Sequence, residues 1–148
     1  MRWLAPLAGV AILAGVAQFA FGQALETLQI TSASGVHPIS IEIANTEASR
    51  EYGLMNRRFL PENRGMLFEF ETEAPVTFWM KDTLIPLDMI FIAHDGRIVG
   101  IAQNAAPLSE AVVPSGAPCD AVLELNGGAS AKLGLKIGDQ VSYSFFKP

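Results

Sequence analysis

The stretch LDMIFIAHDGRIVGIAQ, residues 87–103, decides how this chain folds. Apart from Asp88, its first seven residues are apolar at odd and even positions alike, so a strand made of them has to be covered on both faces. His94, Asp95 and Gly96 follow, and an Asp-Gly pair tolerates the positive φ angles of a tight turn. RIVGIAQ then runs back, so the whole stretch reads as an antiparallel hairpin.

Working outward, the same strand-length periodicity recurs. HPISIEIA, residues 37–44, alternates Ile39, Ile41 and Ile43 against Ser40 and Glu42, the pattern of a half-buried strand with one wet face. GMLFEFE (65–71) and PVTFWMK (75–81) are richer in aromatics. CDAVLEL (119–125) and DQVSYSFF (139–146) complete a set of about seven or eight strands, with Cys119, Ala121, Leu123 and Leu125 expected on one buried face. Two segments carry helical signals. TEASREYGLMNRRF (46–59) spaces Ala48, Tyr52, Met55 and Phe59 along one side, with Thr46 as N-cap and Glu47 in the first turn. Its interior Gly53 shortens the helix or ends it near Asn56. GASAKLG (128–134) gives a second short helix closed by Gly134. The expected fold is α+β: a β-rich mixed or antiparallel sheet rolled toward a barrel, with two short helices. The exception to this regularity is residues 104–118, an arm with three prolines, which reads either as a functional loop or as a plain surface crossing.

The first 22 residues carry Arg2 and then no charge through an apolar run to Ala20, Phe21 and Gly22. That is the order of a signal peptide cut before Gln23, which implies a periplasmic or secreted protein; an uncleaved membrane anchor is the competing reading, and it would be the sole membrane contact. Residues 23–148 then form a single domain, long enough for one core without staples. One cysteine, Cys119, allows no internal disulfide. The full chain carries a formal net charge of −5; without residues 1–22 it has 9 basic and 15 acidic residues and a charge of −6. An acidic chain without a basic tract is a poor fit to nucleic acid.

The segments GLMNRRFLPENRGMLFEF, FWMKDTLIPLDMIFI, NAAP and VLELNGGASAKLGLKIGDQV, in that order, resemble the pattern of the prokaryotic family called domain of unknown function 192. The resemblance spans about residues 38–146 and implies a compact β-rich domain, commonly exported, with no established activity or catalytic residues. Cys119 falls where that pattern holds no fixed cysteine, which argues against thiol chemistry.

For function, TFWMKDTLIPLDMIFI (77–92) sets Trp79, Lys81, Asp82, Thr83 and Asp88 among core-like residues. A tryptophan platform beside a cation, a hydroxyl and two acids suits a small polar ligand. The plain alternative has Asp82 and Thr83 bonding a turn, Asp88 capping a loop and Trp79 packing under the arm. Arg57, Arg58 and Arg64 bracket a turn; Arg57 and Arg64 are candidates to clamp an anion, or else they pair with local acids such as Glu62. Two other chemistries remain open. Asp82, Asp88 or Glu124 could form the carboxylate pair of a hydrolase acting on an envelope glycan. Met55, Met66, Met80 and Met89 could offer thioethers to copper, although their aromatic neighbours suit core packing. His37 and His94 have no metal-ligand spacing. The sequence therefore favours a small envelope binding or accessory module whose partner is a small polar ligand or an envelope protein. It calls for no cofactor or metal.

Overall fold

The computed structural model describes residues 24–147; the signal-like segment and its cut site lie outside the described residues. β1 (Glu26–Ser32) and β2 (Gly35–Ala44) pair antiparallel as a hairpin. The chain then enters α1 (Glu47–Tyr52), where Thr46 accepts from the Ser49 N–H and Ser49 Oγ accepts from the Thr46 N–H, a reciprocal cap. β3 (Arg64–Ala74), β4 (Thr77–Phe78), β5 (Leu87–Ile92), β6 (Ile98–Ala105), β7 (Val113–Pro114), β8 (Cys119–Asn126), α2 (Ala129–Lys132) and β9 (Gln140–Ser142) follow. Seven strands form one sheet in the order β6-β5-β8-β3-β2-β1-β9, and β4 pairs with β7 separately. Among the described residues only the β2–β3 pair is parallel, so the main sheet is mixed.

The sheet curls into a half-barrel. Its two edge strands approach at one end, where Arg97 bridges Gln140 and the Ile98 N–H donates to Asp139 O. The enclosed face gathers Ile98 and Val141 from the two edge strands and Leu28 from β1 around Ile90, Leu123 and Leu67. The opposite face carries Met66, Phe68, Met89, Phe91 and Val122, and is covered by Leu54, Leu60 and Met80 from the connecting segments. β5 is buried at every position, as its unbroken apolar run requires. The hairpin turn closes through the Gly96 N–H to Ala93 O, with Gly96 at φ 84°.

Several elements are shorter than the sequence pattern suggests, each for a local reason. α1 stops at Tyr52 because Gly53 adopts φ 48°, ψ −130° and lies so close to Phe68 that a Cβ there would meet the ring at 3.0 Å. PVTFWMK keeps strand pairing only over β4, because the Met80 N–H turns to Ser109 O and Asp82 takes φ 52°. The last strand ends at Ser142, and the Phe146 N–H folds back to Tyr143 O. Cys119 is buried, but it packs with Val122 on the outer face, apart from Ala121, Leu123 and Leu125 on the inner one. The β3–β8 ladder shifts register between Glu69 and Ala74, which pairs Cys119 outside the regular alternation. The residues 104–118 are tied down: β7 pairs with β4, and the Leu108 N–H donates to Thr83 O. No helix among the described residues is long and apolar enough to cross a membrane.

Candidate functional site

Strand register places the key group. Glu42 on β2 lies opposite Met66 on β3, Met66 opposite Glu124 on β8, and Glu124 opposite Met89 on β5. These four side chains form a row across the outer face. Glu124 is the centre of that row, flanked by two methionines, and only 4% of it is exposed. No hydrogen bond or ion pair reaches its carboxyl among the described residues, and burial pushes its pKa up to about 8. The carboxyl therefore keeps its proton at neutral pH.

Above Glu124 is a cavity of about 240 Å³. One wall comes from the end of α1 and the turn after it, Arg50 to Met55; the other comes from Thr77, Phe78, Trp79 and Thr83, with Phe68 and Phe70 rising from β3. Phe78 organises the aromatic wall, meeting Phe68, Phe70 and Phe91 edge to face at 5.1, 6.3 and 6.5 Å between ring centroids. Trp79 stands 47% exposed at the mouth with Lys81 Nζ over its ring at 5.2 Å, while Arg50 lies over Phe70 at 5.3 Å and donates to Glu69 O. Thr83 is buried and its hydroxyl donates to Lys81 O.

The residues singled out in the sequence thus separate into two groups. Trp79 and Thr83 line the cavity, and Lys81 reaches its rim through the Trp79 ring. Asp82 is exposed in the turn and does not line the cavity; its carbonyl accepts from the Asn56 N–H. Asp88 lies elsewhere. It is opposite Leu125 and therefore on the other face of the sheet, fully buried, where it accepts from the N–H groups of Asn104, Gly128 and Ser130 and from the Ser130 hydroxyl at 2.6–3.0 Å. Three of those bonds fix the 126–130 loop, and the fourth ties it to β6 at Asn104. Arg57 and Arg64 are also outside the cavity: Arg57 grips Glu42 with two bonds of 2.6 and 2.8 Å, and Arg64 approaches the same carboxylate at 3.6 Å. The Arg57 bond holds Glu42 below the ordinary carboxylate range. Glu62 pairs with Lys132 instead of either arginine.

Asp82, Asp88 and Glu124 do not face one cleft, so the geometry of a paired-carboxylate hydrolase is not formed by them. Met66, Met80 and Met89 are at most 5% exposed and pack among Phe68, Phe91 and Val122, as core side chains do. No cluster of three His, Cys, Asp or Glu residues that could hold a metal occurs among the described residues. Burial pushes the Cys119 thiol up to about 11, leaving it un-ionised at neutral pH. His94 pairs with the buried Asp120 at 2.5 Å, away from the cavity. Glu124 and the Phe78 wall were the parts hardest to see from sequence. The available signal was Glu124 in CDAVLEL, where the neighbouring positions 121–125 are otherwise apolar on both faces.

The DUF192 family model, described as Uncharacterized ACR, matches residues 28–143. A protein from Sinorhizobium meliloti 1021, provisionally described as a transcription regulator, is 46% identical, with a TM-score of 0.78 over 80% of this chain and 93% of its own. A protein of unknown function from Novosphingobium aromaticivorans DSM 12444 is 42% identical, with a TM-score of 0.81 over 84% of this chain and 89% of its own. No curated protein matches the chain.

Proposed function

The chain belongs to the DUF192 family, and from that premise we propose that it is a small binding module of the cell envelope whose ligand enters the cavity between α1 and the Trp79 turn. The observation that carries this reading is Glu124. A carboxyl buried without a hydrogen bond destabilises the fold, and such a group on the floor of an aromatic-walled cleft is the arrangement expected where a ligand supplies the missing partner. Trp79 forms the exposed side of the mouth, Phe78 the packed aromatic wall, and Thr83 a polar contact beside the floor.

The envelope assignment rests on the signal-like order of residues 1–22. The acidic net charge supports a small-molecule or protein partner over a nucleic acid. The test is native mass spectrometry of the protein isolated from the cell envelope without denaturant, alongside Trp79→Ala and Glu124→Gln. The reading expects a mature mass beginning at Gln23 and an added mass that both substitutions remove. An added mass retained by both variants, or a protein that binds nothing in that state or in a small-molecule library, contradicts it.

A further inference from the structure

The cavity's own inventory narrows the ligand, on the assumption that the binding reading above holds. Two acids line it, Glu124 at the floor and Glu51 near the rim, against one base, Arg50. Arg50 is committed to Glu69 O and to the face of Phe70, and Lys81, just outside, is committed to the face of Trp79. Neither cation reaches Glu124. The Thr83 hydroxyl spends its proton on Lys81 O, so at the floor it presents an acceptor. An anionic ligand finds no free cation beside Glu124 to balance its charge. A cation finds an unpartnered carboxyl below and aromatic faces around it, and aromatic faces attract cations most strongly where water is excluded.

We propose that the cavity binds a small organic ammonium ion, with its cationic nitrogen against the Glu124 carboxylate and its carbon substituents against Phe78, Phe68 and Trp79.

Proton linkage follows from this geometry. The empty pocket holds Glu124 protonated at neutral pH, since burial pushes it to about 8, and the ammonium pairs with the ionised form. Binding near neutral pH therefore releases a proton to solvent. The neighbouring groups do not replace this linkage. β3 and β5 present Met66 and Met89 to Glu124. Glu42, further along the row, is already neutralised by Arg57, and the end of α1 contributes Arg50, Glu51 and Tyr52 at the rim. Lys81 and Asp82, on the turn, do not line the cavity.

The experiment is isothermal titration calorimetry of the mature protein with choline, whose charge does not titrate, and with choline's uncharged carbon isostere and phenylacetate as controls. Choline is expected to bind in preference to both. Its affinity should rise by up to about tenfold per pH unit below the Glu124 pKa and level off above it, with proton release visible as a dependence of heat on the buffer's ionisation enthalpy. Glu124→Gln should lose the charge preference and the pH dependence while retaining the wild-type circular dichroism spectrum. Trp79→Ala should weaken choline without abolishing its pH dependence. Equal binding of the carbon isostere, preferential binding of phenylacetate, or unchanged choline binding by Glu124→Gln overturns the ammonium assignment and leaves the binding reading standing. Failure of the wild type to bind any of the three probes overturns the ammonium assignment, and the small-molecule library then decides the broader reading.

Discussion

Two acids of similar sequence setting, Asp88 and Glu124, have opposite fates because one residue of register separates them. Asp88 lies opposite Leu125 and Glu124 opposite Met89, so the side chains leave the sheet on different faces. Asp88 is saturated by four donors. Replacing it with Ala leaves those donors buried without an acceptor and is expected to cost on the order of 3 kcal/mol or more, read as a lower urea midpoint. Glu124 behaves in reverse. It keeps its proton in the folded chain from the ordinary carboxylate value of about 4.5 up to about 8, an interval in which the unfolded chain has already released it. The folded state thus binds more protons there, and stability falls as pH rises across the interval before levelling. Urea unfolding between about pH 5 and about pH 9 should show a decline approaching 1.4 kcal/mol per pH unit at its steepest in the wild type, and Glu124→Gln should be nearly free of it. The sequence offered Glu124 as a carboxylate without placing it, because an acid in an apolar strand declares its face only once the partner strands are known.

The elements that build the cavity are those whose lengths the sequence left open. The strands β2 and β5 were legible because alternation, or its absence, directly reports how many faces are covered. α1 was legible in its start, where Thr46 caps, and less so in its end. Apolar spacing continues to Phe59, yet Gly53 turns the chain because Phe68 occupies the space a side chain would need. Gly53→Ala should therefore cost roughly 1–3 kcal/mol from its unfavourable φ alone. Because the displaced atoms belong to a ring lining the cavity, the same substitution should also weaken ligand binding. Thr46→Ala, at the other end of the helix, should cost about 1 kcal/mol and leave binding intact. The Trp79 turn escaped the period-two reading for a related reason: its hydrogen bonds go to the arm at Ser109 and Leu108, a long-range pairing that local pattern does not encode.

Taken whole, the molecule is a curled sheet whose enclosed face supplies a continuous apolar core and whose outer face is covered only by short segments. The rolled β-rich architecture was legible from strand number and composition. The candidate site was legible only in its exposed tryptophan and in the buried threonine beside it, since the cavity is formed by four separate parts of the chain. Stability should follow the same division. Amide exchange from the centre of β8 and β5 should require global unfolding, because both strands are paired on both sides and buried. α1 has no buried residue and should open locally at much lower cost, which would admit a ligand past Tyr52 and Gly53 without disturbing the sheet. Hydrogen exchange resolved by residue checks this, and uniform protection of α1 and β8 would contradict it.

Ligand binding in the cavity turns on the charge state of one buried carboxyl, and carbon-13 NMR titration of the Glu124 side chain reports it directly. The expected result is a midpoint near 8 in the free protein, moving downward when choline is bound. A midpoint at the ordinary carboxylate value of about 4.5, unmoved by choline, would show a solvated acid with no ligand to await and would contradict the account.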